Sequence, residues 1–153
     1  MMAHVKALSG MKFLVAEDDD ASRRLTQMIL CHAGAAEVVG VTTGSEAVER
    51  ALSGNYDVVF MDLSLPILNG LEAVKMLRRR HYSKPIVALT AREGLTSMAE
   101  AAAAGCDAYI TKSVKGNTRL KLIRLAKKIV PLVAEYRSFD GTTLGYEMWR
   151  GDA

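Results

Sequence analysis

Asp62 ends the apolar run Tyr56-Asp57-Val58-Val59-Phe60-Met61 and precedes a turn-rich stretch, Leu63-Ser64-Leu65-Pro66-Ile67-Leu68-Asn69-Gly70. A carboxylate placed there sits at the tip of a buried strand, where a nucleophile belongs. Other apolar runs end in the same way. Glu17 and Asp18 follow Phe13-Leu14-Val15-Ala16, Thr90 follows residues 86–89, and Lys112 follows residues 108–111. Carboxylates crowded at one edge repel one another unless a cation joins them, and they offer the hard oxygen ligands that Mg2+ prefers. Lys112 can neutralise a phosphoryl oxygen while the Thr90 hydroxyl donates to another. These residue types suit attack of Asp62 on phosphorus, with Glu17, Asp18 and Asp62 gathered around a divalent ion.

Bringing them together requires a particular architecture. Strand-like runs at about 12–16, 36–41, 57–61, 85–89 and 107–111 alternate with helix-like stretches at about 20–33, 44–53, 70–80, 95–104 and 117–130. Such alternation predicts an α/β fold, a doubly wound parallel sheet with helices on both faces. The runs 58–61 and 86–89 lack polar alternation, as central strands covered on both sides do. Leu25, Met28 and Ile29 share one face of the first helix, and Gly34 is placed to stop it in a left-handed conformation. Asp20 is expected to cap that helix, and Thr43-Gly44-Ser45-Glu46 has capping-box spacing at the start of the second. In open α/β sheets ligands bind at the carboxyl ends of the strands. Glu17, Asp18, Asp62, Thr90 and Lys112 all fall on that edge.

The 153 residues suffice for one domain with a single sizeable core. Residues 11–130 are expected to form it, with residues 1–10 a dispensable N-terminal extension. Residues 131–153 are expected to form a C-terminal tail, Pro131 either ending the last helix at Val130 or beginning another short turn through Leu132, Val133 and Tyr136. The tail also carries Phe139, Leu144, Tyr146, Met148 and Trp149 and is too short for an independent effector domain. Half the residues are apolar, yet no run reaches the roughly 18 needed to span a bilayer, and the first ten residues lack a signal-peptide core. A cytoplasmic protein with no membrane association is expected. Cys31 and Cys106 read as reduced, buried small residues. The net charge is +3, and residues 112–137 hold eight basic side chains against the single acid Glu135. That stretch reads as the solvated side of an amphipathic helix, and nucleic-acid binding is not expected from it.

The motifs Val15-Ala16-Glu17-Asp18-Asp19, Tyr56 to Asp62, Leu65-Pro66 with Asn69-Gly70, Ala88-Leu89-Thr90-Ala91, Ala104-Gly105-Cys106-Asp107-Ala108-Tyr109 and Thr111-Lys112 together resemble the receiver domain of two-component response regulators, over residues 12–130. The resemblance implies a flavodoxin-like five-stranded sheet of order 2-1-3-4-5, which would set strands one and three side by side and bring Asp18 to Asp62. It also implies that Asp62 is the phosphoacceptor. Asp18 and Asp62 would ligate Mg2+ directly, Glu17 through water, and Ser64 by its backbone carbonyl. Thr90 and Tyr109 would form the family's switch pair. Asn69 and Ser113 depart from the family, in the places of an Asp and of a proline that is often preceded by a cis bond. Ser64 and Arg92 occupy positions that tune phosphoryl lifetime.

By the same resemblance the chain would take a phosphoryl group from a sensor histidine kinase or histidine phosphotransfer protein. It would then signal to a downstream protein target through the face of its fourth helix, fifth strand and fifth helix, as a monomer or weak dimer. It would be a signalling protein assisting its own phosphorylation and dephosphorylation, not a conventional enzyme. The alternative is an adaptor that keeps the fold and works without phosphorylation.

Overall fold

The computed structural model of the chain describes residues 6–91, 95–112 and 118–139. Its elements are β1 (Lys12–Ala16), α1 (Asp20–His32), β2 (Glu37–Val41), α2 (Gly44–Ser53), β3 (Val58–Asp62), α3 (Gly70–Arg79), β4 (Ile86–Thr90), α4 (Leu95–Ala104), β5 (Ala108–Thr111) and α5 (Thr118–Phe139). All strand pairs are parallel, in the order β2-β1-β3-β4-β5. This is the expected flavodoxin-like arrangement. Every residue of β3 and β4 is buried, which accounts for runs without polar alternation.

Because successive strand side chains point to opposite faces, the sheet divides its apolar residues into two cores. Phe13, Val15, Val58, Phe60, Val87, Leu89, Ala108 and Ile110 pack with α1 and α5. Leu14, Ala16, Val59, Met61, Ile86 and Ala88 pack with α2, α3 and α4.

Several local expectations are corrected. Asp19, not Asp20, caps α1, accepting from the Ser22 N–H, while Asp20 in the first turn pairs with Arg23 and Arg24. The buried face of α1 is Thr26, Ile29 and Leu30, and Leu25 and Met28 are each 56% exposed. A threonine and the following Ala33 complete the stripe, so residue type alone turned the helix the wrong way. Cys31 is exposed, whereas Cys106 is fully buried and burial pushes its thiol up to about 12. Gly34 does adopt a left-handed φ, and Thr43 accepts from the Glu46 N–H as the capping spacing requires.

The last helix does not stop at 130 but runs through Pro131 to Phe139. An interior proline costs a helix about 3 kcal/mol, but Ile129 and Val133, one turn apart, are buried in the α1/α5 core and hold the axis across it. At the other end, Leu8 is fully buried in that core, and its N–H donates to the Ala33 carbonyl. The described part of the expected extension is therefore structural. Leu144, Tyr146, Met148 and Trp149 lie outside the described residues, as do Arg92 and Ser113.

A buried clamp went unread in the sequence. Arg78 at the end of α3 donates through Nη2 to Asp107 Oδ2 at 2.8 Å, through Nε to the Gly105 carbonyl at 2.9 Å and through Nη1 to the Lys84 carbonyl at 3.0 Å. Asp107 Oδ2 also accepts from the Ile86 N–H at 3.0 Å. One side-chain pair thus fastens α3, the start of β4 and the α4–β5 link at the sheet edge opposite Asp62.

Candidate functional site

Strand alternation positions the charged groups. Glu17 continues the row Phe13, Val15. Asp62 continues Val58, Phe60, and Lys112 continues Ala108, Ile110. All three rows face the α1/α5 layer, so when the strands end their next members meet above that core. Lys112 Nζ lies 2.6 Å from Glu17 Oε1 and 3.1 Å from Asp62 Oδ2, across 95 and 50 residues of sequence. Asp62 Oδ1 accepts from the Ser64 N–H at 2.9 Å. Asp18 is exposed, and oxygens of Glu17, Asp18 and Asp62 all lie within 4.8 Å of one another.

The electrostatics divide the acids. Burial, aided by hydrogen bonding to Asp62 and opposed by Lys112, pushes Glu17 up to about 7. Burial also works against ionised Asp62, but its hydrogen bonds with Glu17, the Ser64 N–H and Lys112 prevail and hold it below the usual carboxylate range. For Lys112 burial favours the neutral amine, yet contact with Glu17 and Asp62 prevails and raises it. The result is an ionised Asp62 facing an ammonium, with a readily protonated Glu17 beside it. Glu17 Oε2 is buried without a hydrogen-bond partner. A set of three carboxylates with one orphaned oxygen fits a hard divalent cation, which would satisfy that oxygen and relieve the crowding.

Thr90 and Tyr109 belong to the other face. Tyr109 pairs in register with Ala88, two residues before Thr90, and packs half-buried against the α2–α4 core. Thr90 is buried at the last position of β4, and its carbonyl accepts from the Lys112 N–H at 2.7 Å, tying β4 to the lysine's backbone.

The loop between β3 and α3 is shaped by close approach. Gly70 opens α3 so near the strand end that a Cβ there would lie 2.0 Å from the Asp62 carbonyl oxygen. Its N–H donates to the Leu63 carbonyl, and Asn69 caps the helix by accepting from the Glu72 N–H. Asn69, read as a turn residue, is thus a cap. Ile67 has φ 67° and is 84% exposed. A left-handed conformation costs an L-residue roughly 1–2 kcal/mol, of which glycine would give part back as unfolded-chain entropy. Ile67→Gly is expected to raise stability by about 0.5–1 kcal/mol, seen as a higher urea midpoint at unchanged slope; a lower midpoint would mean that the loop is not strained there.

Arg23 is a further supporting residue that the sequence reading passed over. Its Nη1 donates to the Glu17 carbonyl at 3.2 Å while Nη2 holds Asp20. The signal was the Asp20/Arg23 spacing of three on a helix.

The profile of the response regulator receiver domain family matches residues 13–124. The transcriptional regulatory protein SrrA of Staphylococcus aureus is 36% identical over 101 residues, 66% of this chain and 41% of SrrA. Hybrid signal transduction histidine kinase G of Dictyostelium discoideum is 32% identical over 139 residues, 88% of this chain and 4% of the kinase. Among solved structures, the receiver domain of the sensor histidine kinase PA1611 from Pseudomonas aeruginosa, with a magnesium ion coordinated in its active-site cleft, has a TM-score of 0.71 and 29% identity, covering 80% of this chain and 99% of that one. The chain belongs to the response regulator receiver domain family of two-component signalling. It spans less than half the length of either curated relative. Receiver domains are phosphoacceptor signalling domains that pair with histidine kinases or phosphotransfer proteins. No helix among the described residues is long and apolar enough to cross a membrane.

Proposed function

We propose that the chain accepts a phosphoryl group on Asp62 from the phosphohistidine of a sensor histidine kinase or histidine phosphotransfer protein, with Mg2+ as cofactor. It then signals, in the cytoplasm, to a downstream protein through the face of α4, β5 and α5. The observation that carries this reading is the Asp62 carboxylate, kept ionised between the Ser64 N–H and the Lys112 ammonium at the end of a central strand. In the transfer, a carboxylate oxygen of Asp62 bonds to phosphorus as the bond from phosphorus to the imidazole nitrogen breaks, and the electron pair leaves with the imidazole.

The protein's part is positioning and charge neutralisation. Ser64 and Lys112 fix the carboxylate, Lys112 faces the phosphoryl oxygens, and the Thr90 hydroxyl donates to one of them. Glu17, Asp18, Asp62 and the Ser64 carbonyl would hold Mg2+, which when bound offsets the negative charge shared by acids and phosphoryl group. Water later hydrolyses the acyl phosphate, so the chain is a substrate with catalytic parts. Phosphorylation adds about −1.5 to −2 charges, which draws Thr90 and Lys112 inward and lets Tyr109 follow, biasing the α4, β5 and α5 surface.

Incubation with acetyl phosphate and Mg2+ tests this. One added phosphoryl group by intact mass is expected, lost in Asp62→Ala and without the metal. A folded wild-type protein that takes no label, while an authentic receiver does, would point instead to the phosphorylation-independent adaptor.

Cation binding should also depend on pH. In the cation-free protein Glu17 keeps its proton below about 7, and a metal must displace it. Binding is therefore strong above that range and weakens as pH falls through it. Mg2+ affinity by calorimetry is expected to be about tenfold lower at pH 6 than at pH 8, with proton release on binding. Equal affinity at the two values would remove Glu17 from the ligand set.

A further inference from the structure

Over residues 118–134 of α5 the cations have no acid among them. On α1, Arg23 and Arg24 pair with Asp20, and on α3 Lys75 pairs with Glu72. On α5, Arg119, Lys121, Arg124, Lys127 and Lys128 are all exposed. Among the described residues none of the five forms an ion pair. Lys121, Arg124 and Lys128 follow one another at spacings of three and four, so they stand as neighbours on one exposed stripe that borders the buried row of Leu122, Leu125, Ala126 and Ile129. Like charges at those spacings destabilise a helix. A stripe that keeps such repulsion uncompensated is complementary to an external anion.

We propose that this outer face of α5 docks an acidic, amphipathic peptide segment of a protein partner. The choice of a peptide rests on what accompanies the charge. Leu120, 44% exposed, stands one turn before Arg124 at a spacing of four, giving an apolar contact beside the cations. No described residue of the exposed face is aromatic, so bases would find no stacking platform of the kind single-stranded nucleic acid uses. From Lys121 to Lys128 the stripe runs about 10 Å, which acids spaced i, i+3 and i+7 on a helical segment would match. The inference deepens the reading of α5 as part of the signalling face by naming the chemistry of its partner.

The test uses the full chain and a fluorescein-labelled synthetic amphipathic peptide with glutamates at i, i+3 and i+7. Probes for comparison are its glutamine counterpart and a single-stranded oligonucleotide. The glutamate peptide is expected to bind, and to bind more weakly as salt rises, because the Debye length shrinks from about 10 Å at 0.1 M to about 3 Å at 1 M. The triple change Lys121→Glu, Arg124→Glu and Lys128→Glu should weaken it about tenfold or more, as three modest attractions become repulsions. A milder triple change to glutamine should give an intermediate loss. Both variants should keep the wild-type circular dichroism, since no intramolecular ion pair is removed. The proposal is overturned if the glutamine peptide binds equally, if the reversals leave affinity unchanged, or if the oligonucleotide binds more tightly than the glutamate peptide. Acetyl phosphate labelling of the triple variants, and peptide binding by Asp62→Ala, separate the two readings: lost labelling with peptide binding intact would count against Asp62 alone.

Discussion

Asp107→Ala is expected to cost about 3–5 kcal/mol of stability, the scale at which a buried ion pair loses one partner. Asp107 is fully buried, and its Oδ2 accepts both the Arg78 guanidinium and the Ile86 N–H. Truncation leaves the guanidinium with carbonyl partners but no counter-charge, and strips the first backbone N–H of β4 of its acceptor in a place water does not reach. Asp107→Asn keeps an acceptor for Ile86 but not the charge, and should lose about half as much. Urea unfolding followed by circular dichroism gives both numbers. Labelling of the folded protein should persist, because the clamp lies at the sheet edge away from Asp62. An alanine variant within about 0.5 kcal/mol of wild type, the scatter usual for surface changes, would show that the pair only decorates the fold.

Gly70→Ala should damage stability and phosphorylation together. The added carbon would lie 2.0 Å from the Asp62 carbonyl oxygen and 2.6 Å from the Leu63 Cα. Both are backbone atoms and cannot swing aside. Either α3 backs away, giving up the bond from the Gly70 N–H to the Leu63 carbonyl, or the end of β3 is displaced. Overpacking of this kind costs about 3 kcal/mol, and a shift of the nucleophile by about 1 Å can slow a positioned reaction roughly a hundredfold. Stability from denaturant titration and the rate of acetyl phosphate labelling should both fall. Unchanged labelling with reduced stability would mean that the helix alone absorbs the clash.

Most of the fold was readable because the parallel sheet writes its strands as unbroken apolar runs, and the rim residues follow from where those runs stop. That Glu17, Asp62 and Lys112 meet on one side of the sheet was also legible, since each extends an alternate-residue row. The clamp was not. Arg78 is one of three successive arginines, and nothing local distinguishes the one that reaches Asp107, 29 residues away. Leu25 and Met28 misled because large apolar side chains outweighed a threonine and an alanine that pack better. The extent of α5 was hidden for a related reason: proline propensity argues for a stop, and only tertiary burial of Val133 argues against it. The capping carboxylate of α1 was misread by one residue because four consecutive acids offer no local means of choosing among them.

The burial of Leu8, Ile129 and Val133 bears on how the protein can be trimmed. The family match begins after the first of these and stops before the other two. Excision at those borders would remove five members of the α1/α5 apolar layer, Leu125 and Ala126 being lost with these three, and admit solvent there. A shortened version intended for spectroscopy should therefore keep the chain from Lys6 through Ala134, or it will report on a hollowed protein.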